Sequence, residues 1–169
     1  MCMIKNEMGM EFDAISLNES LARMVVASFI MPLNPTLEEL SDVKTAVSEA
    51  VTNAIIHGYG NLSGYGKHGI MPWGQGAEGP GKVILRCRLE GDVLHIEVED
   101  KGVGIEDVEK AMEPLFTTKP EYNRSGMGFA FMEAFMDDLW VESVLGKGTL
   151  VRMSKKICAG PWIDVKNED

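Results

Sequence analysis

Apolar residues recur with helical period near the start of the chain. Leu17, Leu21, Met24, Val25 and Ser28 fall at i, i+4, i+7, i+8 and i+11 behind Ser16-Leu-Asn-Glu19, the stripe of an amphipathic helix opened by a capping box. Pro32 and Pro35 end it. A second capping box, Thr36-Leu-Glu-Glu39, opens a longer helix whose buried face is predicted as Leu40, Val43, Val47, Ala50 and Ala54, closing at Gly58. Periodicity then disappears. Residues 58–82 hold nine of the chain's 18 glycines with Pro72 and Pro80, which reads as a long, partly mobile surface loop. From Lys82 the period becomes that of strands: Val83–Leu89 and Val93–Asp100, joined at Glu90-Gly-Asp92, predict an antiparallel hairpin. Leu94, Ile96 and Val98 share one face of its second strand, and alternation places Asp100 with them.

The remaining pattern is a short helix at Asp107–Glu113 ended by Pro114, an aperiodic closing loop over 114–128, and a helix at Gly128–Leu139 with Phe131, Phe135 and Leu139 on one face. A second hairpin follows, Trp140–Val144 and Thr149–Met153 about the turn Gly146-Lys-Gly148. The order αα, ββ, α, ββ predicts one α+β domain, helices packed on one face of a mostly antiparallel sheet. The domain is expected over residues 1–157, with the Gly-rich segment at about 60–81 and a polar acidic tail at 158–169.

Composition narrows the partners. Sixteen Lys and Arg against 26 Asp and Glu give a net charge of −10 over 169 residues, which argues against direct contact with a nucleic acid or an anionic membrane. A bound polyanion must then rely on backbone donors, one or two placed cations and a divalent metal. No apolar run reaches the roughly 18 residues of a membrane span, and the N-terminus lacks a signal-peptide core; a cytoplasmic location is expected. Cys2, Cys87 and Cys158 show no paired spacing and read as free apolar thiols.

Several catalytic classes are excluded by their missing motifs: the P-loop, HExxH, GxSxG and the kinase HRD and DFG sets. Gly74-Gln-Gly-Ala-Glu-Gly79 matches a dinucleotide fingerprint, but Pro80 follows it and no strand precedes it. His68 and His95 are assigned to the surface. Four other features carry candidate chemistry. Glu49, Asn53 and His57 are spaced i, i+4, i+8 and drift only about 40° around a helix; they form either its wet edge or a strip for a metal-bound phosphate and a base. Asp100, facing inward, is either a structural acceptor or a ligand contact, and Asp100-Lys-Gly-Val-Gly104 is either a plain turn or a close backbone approach to a ligand. Arg124-Ser-Gly-Met-Gly128 runs into a helix start, where free N–H groups favour phosphate. Gly146-Lys-Gly-Thr149 opens the last strand.

Taken in this order, Glu49-x-x-x-Asn53, Asp100-x-Gly-x-Gly104, Pro114-Leu-Phe-Thr-Thr-Lys119, Ser125-Gly-Met-Gly128 and Gly148-Thr149 resemble the sequence boxes of the ATPase superfamily of gyrase, Hsp90, histidine kinases and MutL. Residues 49–59, 114–121 and 124–129 are similar to the anti-sigma F family of spore-forming bacteria, which are serine kinases. The resemblance covers about residues 4–155 and departs at 60–81 and after Ile157. It implies a two-layer α/β sandwich of Bergerat type, with ATP and Mg²⁺ as cofactors. It implies Glu49 as general base, Asn53 as the Mg²⁺ ligand, Asp100 as acceptor for the adenine amino group and Thr149 as its support. Gly102 and Gly104 would border the base, and Gly126, Met127 and Gly128 would offer N–H groups to the phosphates beside Arg124. Thr117, Thr118 and Lys119 would lie in a lid. The implied partners are the sporulation sigma factor F, an anti-anti-sigma factor phosphorylated on serine, and a second copy of the chain, with Arg23 on the contact face. Two alternatives share the boxes: an ATP-binding module that sequesters sigma without turnover, and a general-stress type anti-sigma kinase. A histidine kinase is disfavoured because only about 15 residues precede the first helix, and a gyrase, MutL or Hsp90 type because no transducer domain is read after the last strand.

Overall fold

The computed structural model describes residues 5–59, 81–113 and 127–158. Five strands form one sheet in the order β1-β2-β3-β5-β4: β1 Lys5–Asp13, β2 Lys82–Glu90, β3 Val93–Asp100, β4 Asp138–Val144 and β5 Gly148–Lys156. All four pairings are antiparallel. The helices α1 Leu17–Ile30, α2 Leu37–Asn53, α3 Val108–Met112 and α4 Gly128–Phe135 complete the two-layer α+β arrangement that the alternating pattern predicts. Among the described residues no helix is long and apolar enough to cross a membrane.

The core lies between the layers. Val83, Leu85, Cys87 and Leu89 of β2 and Leu94, Ile96 and Val98 of β3 meet Val26 and Ile30 of α1 and Val43, Val47 and Val51 of α2, all buried. Full burial of each such side chain contributes roughly 1.5–3 kcal/mol. The opposite face of the sheet is polar, with Arg86 against Glu97 and Glu99 and Arg152 against Glu97 and Glu142; exposed pairs of this kind add little each. His95 belongs to that face, opposite Arg88.

Four expectations are corrected. The N-terminal segment is a strand, β1, which the sequence reading left without structure; only Phe12 of its residues is fully buried, so its alternation is faint. Ser16 does not cap α1: its side chain makes no cap bond, and the Glu19 carboxylate reaches across to the Ser48 hydroxyl on α2 and to Arg23. The buried face of α1 is Ala22, Val26, Ala27 and Ile30, whereas Leu17, Leu21 and Met24 of the predicted stripe are 82%, 46% and 53% exposed. Two of the four buried positions are small Ala residues, and the larger side chains of the stripe turn outward. Finally α4 stops at Phe135, and Leu139 belongs to β4, because Asp137 and Asp138 bond into β5 through Lys156 N–H and the Ser154 hydroxyl.

The second capping box forms as predicted: Glu39 N–H donates to Thr36 Oγ1 at 3.2 Å and Thr36 N–H to Glu39 Oε2 at 2.8 Å. Cys158 N–H also donates to Glu39 Oε1, at 2.7 Å, fastening the end of β5 to α2. The helical run from Thr36 reaches Gly58 as predicted, but its last turn, Ala54–Gly58, is wound as a π-helix, a deformation frequent at functional sites. Cys87 is a buried free thiol and Cys158 an exposed one. The Gly-rich stretch from 60 to 80, including His68 and the 74–79 fingerprint, lies outside the described residues, as do Cys2, the loop at 114–126 and the tail from 159.

Candidate functional site

Two clusters of side chains line the side of α2 and the turns beyond it. The first gathers at the C-terminal end of β3. Asp100 closes the apolar face of that strand, as alternation requires, and only 6% of its surface is exposed. Its Oδ1 accepts the Gly102 N–H at 2.8 Å. Burial pushes its carboxyl up to about 6, opposed by the Gly102 and Thr149 backbone N–H groups and assisted by the neighbouring Glu99. A carboxylate kept inside an apolar layer at this cost, with lone pairs beyond those two N–H groups, has acceptor capacity to offer a ligand.

Glycines bring backbone to this acid from three directions. A Cβ on Gly58, at the end of the π-helical turn, would lie 2.7 Å from Asp100 Oδ1. A Cβ on Gly102 would fall on the Gly58 carbonyl, and Val103 N–H donates to that same carbonyl at 3.0 Å. Gly104 and Gly148 both have positive φ, 73° and 108°, which L side chains disfavour, and each packs against backbone, of Val144 and of Asp100 respectively. We therefore expect Gly102→Ala to separate the two turns, with a loss of roughly 1–3 kcal/mol from overpacking, measurable by urea unfolding; an unchanged midpoint would show that the turn relaxes freely.

Tyr59 braces the same corner. Its hydroxyl donates to Lys82 O at 2.6 Å and accepts Lys101 N–H at 2.7 Å, tying the start of β2 to the turn after β3. Burial, with the nearby Asp100 and Glu99 carboxylates, raises its phenol above the ordinary value against the bond accepted from Lys101 N–H. Tyr59→Phe is expected to destabilise by about 1–3 kcal/mol, since Lys101 N–H loses its partner; chemical denaturation decides this.

The second cluster lies toward the N-terminal side of that π-helical turn. A Cβ placed on Gly128 would sit 3.0 Å from Glu49 Oε2 and 3.2 Å from Asn53 Nδ2. The start of α4 thus meets both residues of the predicted strip, with Met127 immediately before it. Glu49 and Asn53 are half-buried, and His57 follows on the π-helical turn. The two clusters are joined by one continuous segment, Glu49 to Gly58, which spans roughly 13 Å at helical rise.

Of the predicted site residues, the structure brings together Asp100, Gly102, Gly104 and Thr149 in one cluster and Glu49, Asn53, Met127 and Gly128 in the other. Thr117, Thr118, Lys119, Arg124 and Gly126 lie outside the described residues. Arg23 is on the outward side of α1, with Nη2 3.1 Å from Ser20 Oγ and Nη1 3.4 Å from Glu19 Oε1. Three participants escaped the sequence reading: Gly58, Tyr59 and Ser143. Ser143 had a readable signal, a hydroxyl on the inward face of β4 in register with Leu139 and Val141, just as Asp100 stands among apolar residues on β3.

Comparison with known proteins identifies the family. The histidine kinase-like ATPase domain family matches residues 16–155. The anti-sigma F factor of Clostridium acetobutylicum is 53% identical over 155 residues, covering 91% of this chain and 96% of that protein; that of Bacillus subtilis is 50% identical over 154 residues, covering 91% and 94%. In a crystal structure of the RsbU and RsbW domains of Rv1364c from Mycobacterium tuberculosis the same fold recurs, at TM-score 0.57 and 16% identity, covering 90% of this chain and 32% of that one. The chain belongs to the histidine kinase-like ATPase domain family and, within it, to the anti-sigma F factors.

Proposed function

We propose that the protein is an anti-sigma factor and an ATP-dependent serine kinase: it sequesters the sporulation sigma factor F and phosphorylates a serine of an anti-anti-sigma factor, restraining sporulation transcription. The observation that carries this reading is the pairing of a buried acceptor, Asp100, with a carboxylate and an amide, Glu49 and Asn53, at the other end of one helical segment.

The residues present suit a nucleotide. Asp100 accepts from the adenine amino group, and Thr149 supports that edge of the base. Gly102 and Gly104 let the turn after β3 pack directly on the backbone of Gly58 and Val144, which holds that turn beside Asp100 at the edge of the base. The N–H groups at Met127 and Gly128 open α4 toward the phosphates; the resemblance assigns Gly126 and Arg124 to the same phosphates and Thr117, Thr118 and Lys119 to a lid. Asn53 would offer its side-chain oxygen to Mg²⁺, a cation that needs only one or two protein oxygens beside those of a phosphate substrate. The bound nucleotide and metal supply the transferable γ-phosphoryl group and neutralise its charge; a protein of net charge −10 needs that neutralisation. Glu49 accepts the proton of the serine hydroxyl as its oxygen bonds to the γ-phosphorus and ADP departs.

Partner contact is assigned to α1. The apolar residues Leu17, Leu21 and Met24 stand exposed around Arg23 on its outward side, and apolar surface grouped about a cation is the composition of an interaction patch. The same surface serves a homodimer. We place the protein in the cytoplasm, with residues 1–157 as one ATPase domain and 158–169 as a tail.

The test is transfer of labelled phosphate from ATP and Mg²⁺ to the anti-anti-sigma factor, run beside co-elution of sigma F. Phosphoserine formation together with ATP-dependent co-elution is expected. Sigma binding with ATP bound but no phosphoserine would reduce the protein to a sequestering module.

A further inference from the structure

Ser143 stands at the back of the Asp100 cluster and touches three groups. Its Oγ accepts the Ile105 N–H at 2.8 Å, lies 3.0 Å from Gly148 O and 2.9 Å from Thr149 Oγ1. A serine hydroxyl has one proton and two lone pairs. One lone pair is taken by Ile105, and the proton has two candidate acceptors. The Gly148 amide carbonyl is the stronger of the two and cannot donate in return, so the Ser143 proton goes there. Its second lone pair is then the acceptor for Thr149, whose own hydroxyl proton must point toward Ser143.

We propose that Ser143 is a specificity-determining positioning residue: by holding the Thr149 proton it leaves Thr149 Oγ1 able only to accept on its free side. This inference rests on the ATP reading above. Asp100, when ionised, is likewise acceptor-only. The edge of the base therefore meets two acceptors and no side-chain donor from this pair. Such an edge fits a purine carrying a 6-amino group and opposes one carrying a 6-oxo group, which would face lone pairs with lone pairs. Discrimination arises from the unpaired polar groups of the wrong base. Ile105 links the same hydroxyl to the turn that carries Gly102 and Gly104, so the proton arrangement and the turn are set together.

The test is calorimetric binding of ADP and IDP, which differ at the purine 6-position, to the parent, Ser143→Ala and Ser143→Thr. The expected result is a parent preference for ADP that Ser143→Ala reduces by about tenfold, the worth of one redirected hydrogen bond, and that Ser143→Thr restores. Where Ser143→Ala does not fold, Ser143→Cys keeps the volume with only a weak acceptor and is expected to show the same reduction. An ADP to IDP ratio equal to the parent's in a folded Ser143→Ala or Ser143→Cys protein would overturn the assignment and leave Ser143 a structural link. A parent that binds neither nucleotide would instead overturn the ATP reading, and the assignment with it.

Discussion

Glu49→Gln is expected to lower serine phosphorylation by about 10²–10⁴-fold, the usual contribution of a general base, while ATP affinity stays within about twofold. The isosteric amide keeps the shape and the close approach to the start of α4 but cannot take a proton. Glu49 is placed where this matters. Its carboxylate faces Gly128, whose missing Cβ would otherwise lie 3.0 Å from Oε2, and it sits one helical turn before Asn53, the residue assigned to the metal. The backbone beneath it is rigid, since Ala46, Val47, Ala50 and Val51 on the adjoining face of α2 are all buried. A proton acceptor on such a support is held in one geometry, which is what general-base efficiency depends on. Two measurements separate base from binder: calorimetric titration with ATP and Mg²⁺, and single-turnover transfer of labelled phosphate. Retained transfer in the variant would remove Glu49 from the chemistry, whereas joint loss of binding and transfer would make it a nucleotide ligand.

How far this site was legible before the fold is a matter of which residues announce themselves locally. Asp100 did, because a charged residue in phase with Leu94, Ile96 and Val98 breaks the alternation of its strand, and burial there is confirmed. Helical spacing alone put Glu49 and Asn53 on one strip, but left open whether that strip was a wet edge or a site until the resemblance assigned it. Closure of α4 onto that strip did not, because Gly128 is far from Glu49 in sequence and a glycine carries no sign of what it will touch. Tyr59 was equally opaque: its hydroxyl bridges Lys82 and Lys101, partners brought together only by the β2–β3 hairpin. The α1 stripe misled for a physical reason. Period reports which residues share a face, and hydrophobicity suggests which face is inside. Here the buried face of α1 includes the small Ala22 and Ala27, while the larger Leu17, Leu21 and Met24 remain outside, on a surface assigned to partners. A faint strand such as β1, with one fully buried residue, needs its partner β2 before it can be recognised.

Asp100→Asn is expected to separate function from stability in opposite directions. In the parent, the Gly102 and Thr149 backbone N–H groups point at the carboxylate, and ionised Asp100 still has lone pairs for an adenine amino group. An asparagine has one oxygen, which those two N–H groups claim, so its NH₂ faces the adenine NH₂ and two donors oppose each other. Loss of an ionised acceptor with such opposition lowers ATP affinity by about 10²-fold. Stability without nucleotide moves the other way. Because the carboxyl is pushed up to about 6 from an ordinary 3.8, the folded protein binds this proton more tightly than the unfolded chain does. Between those two values the folded state holds more protons, so the unfolding free energy falls as pH rises. Above about 6 the full cost of ionising a buried acid is present, about 3 kcal/mol for two pKa units. The asparagine does not titrate and escapes it. Urea unfolding of the nucleotide-free proteins should therefore find the variant's stability relative to the parent greater at pH 8 than at pH 4. The affinity gap for ATP should behave in the complementary way, wide at pH 8 and narrowing below about pH 6 as Asp100 protonates; taking the ratio of parent to variant at each pH cancels titration of the phosphates themselves. A variant that binds ATP as the parent does at pH 8 would show that the base is read elsewhere. A pH-independent stability difference would show that Asp100 ionises at its ordinary value, with the two N–H groups fully offsetting its burial.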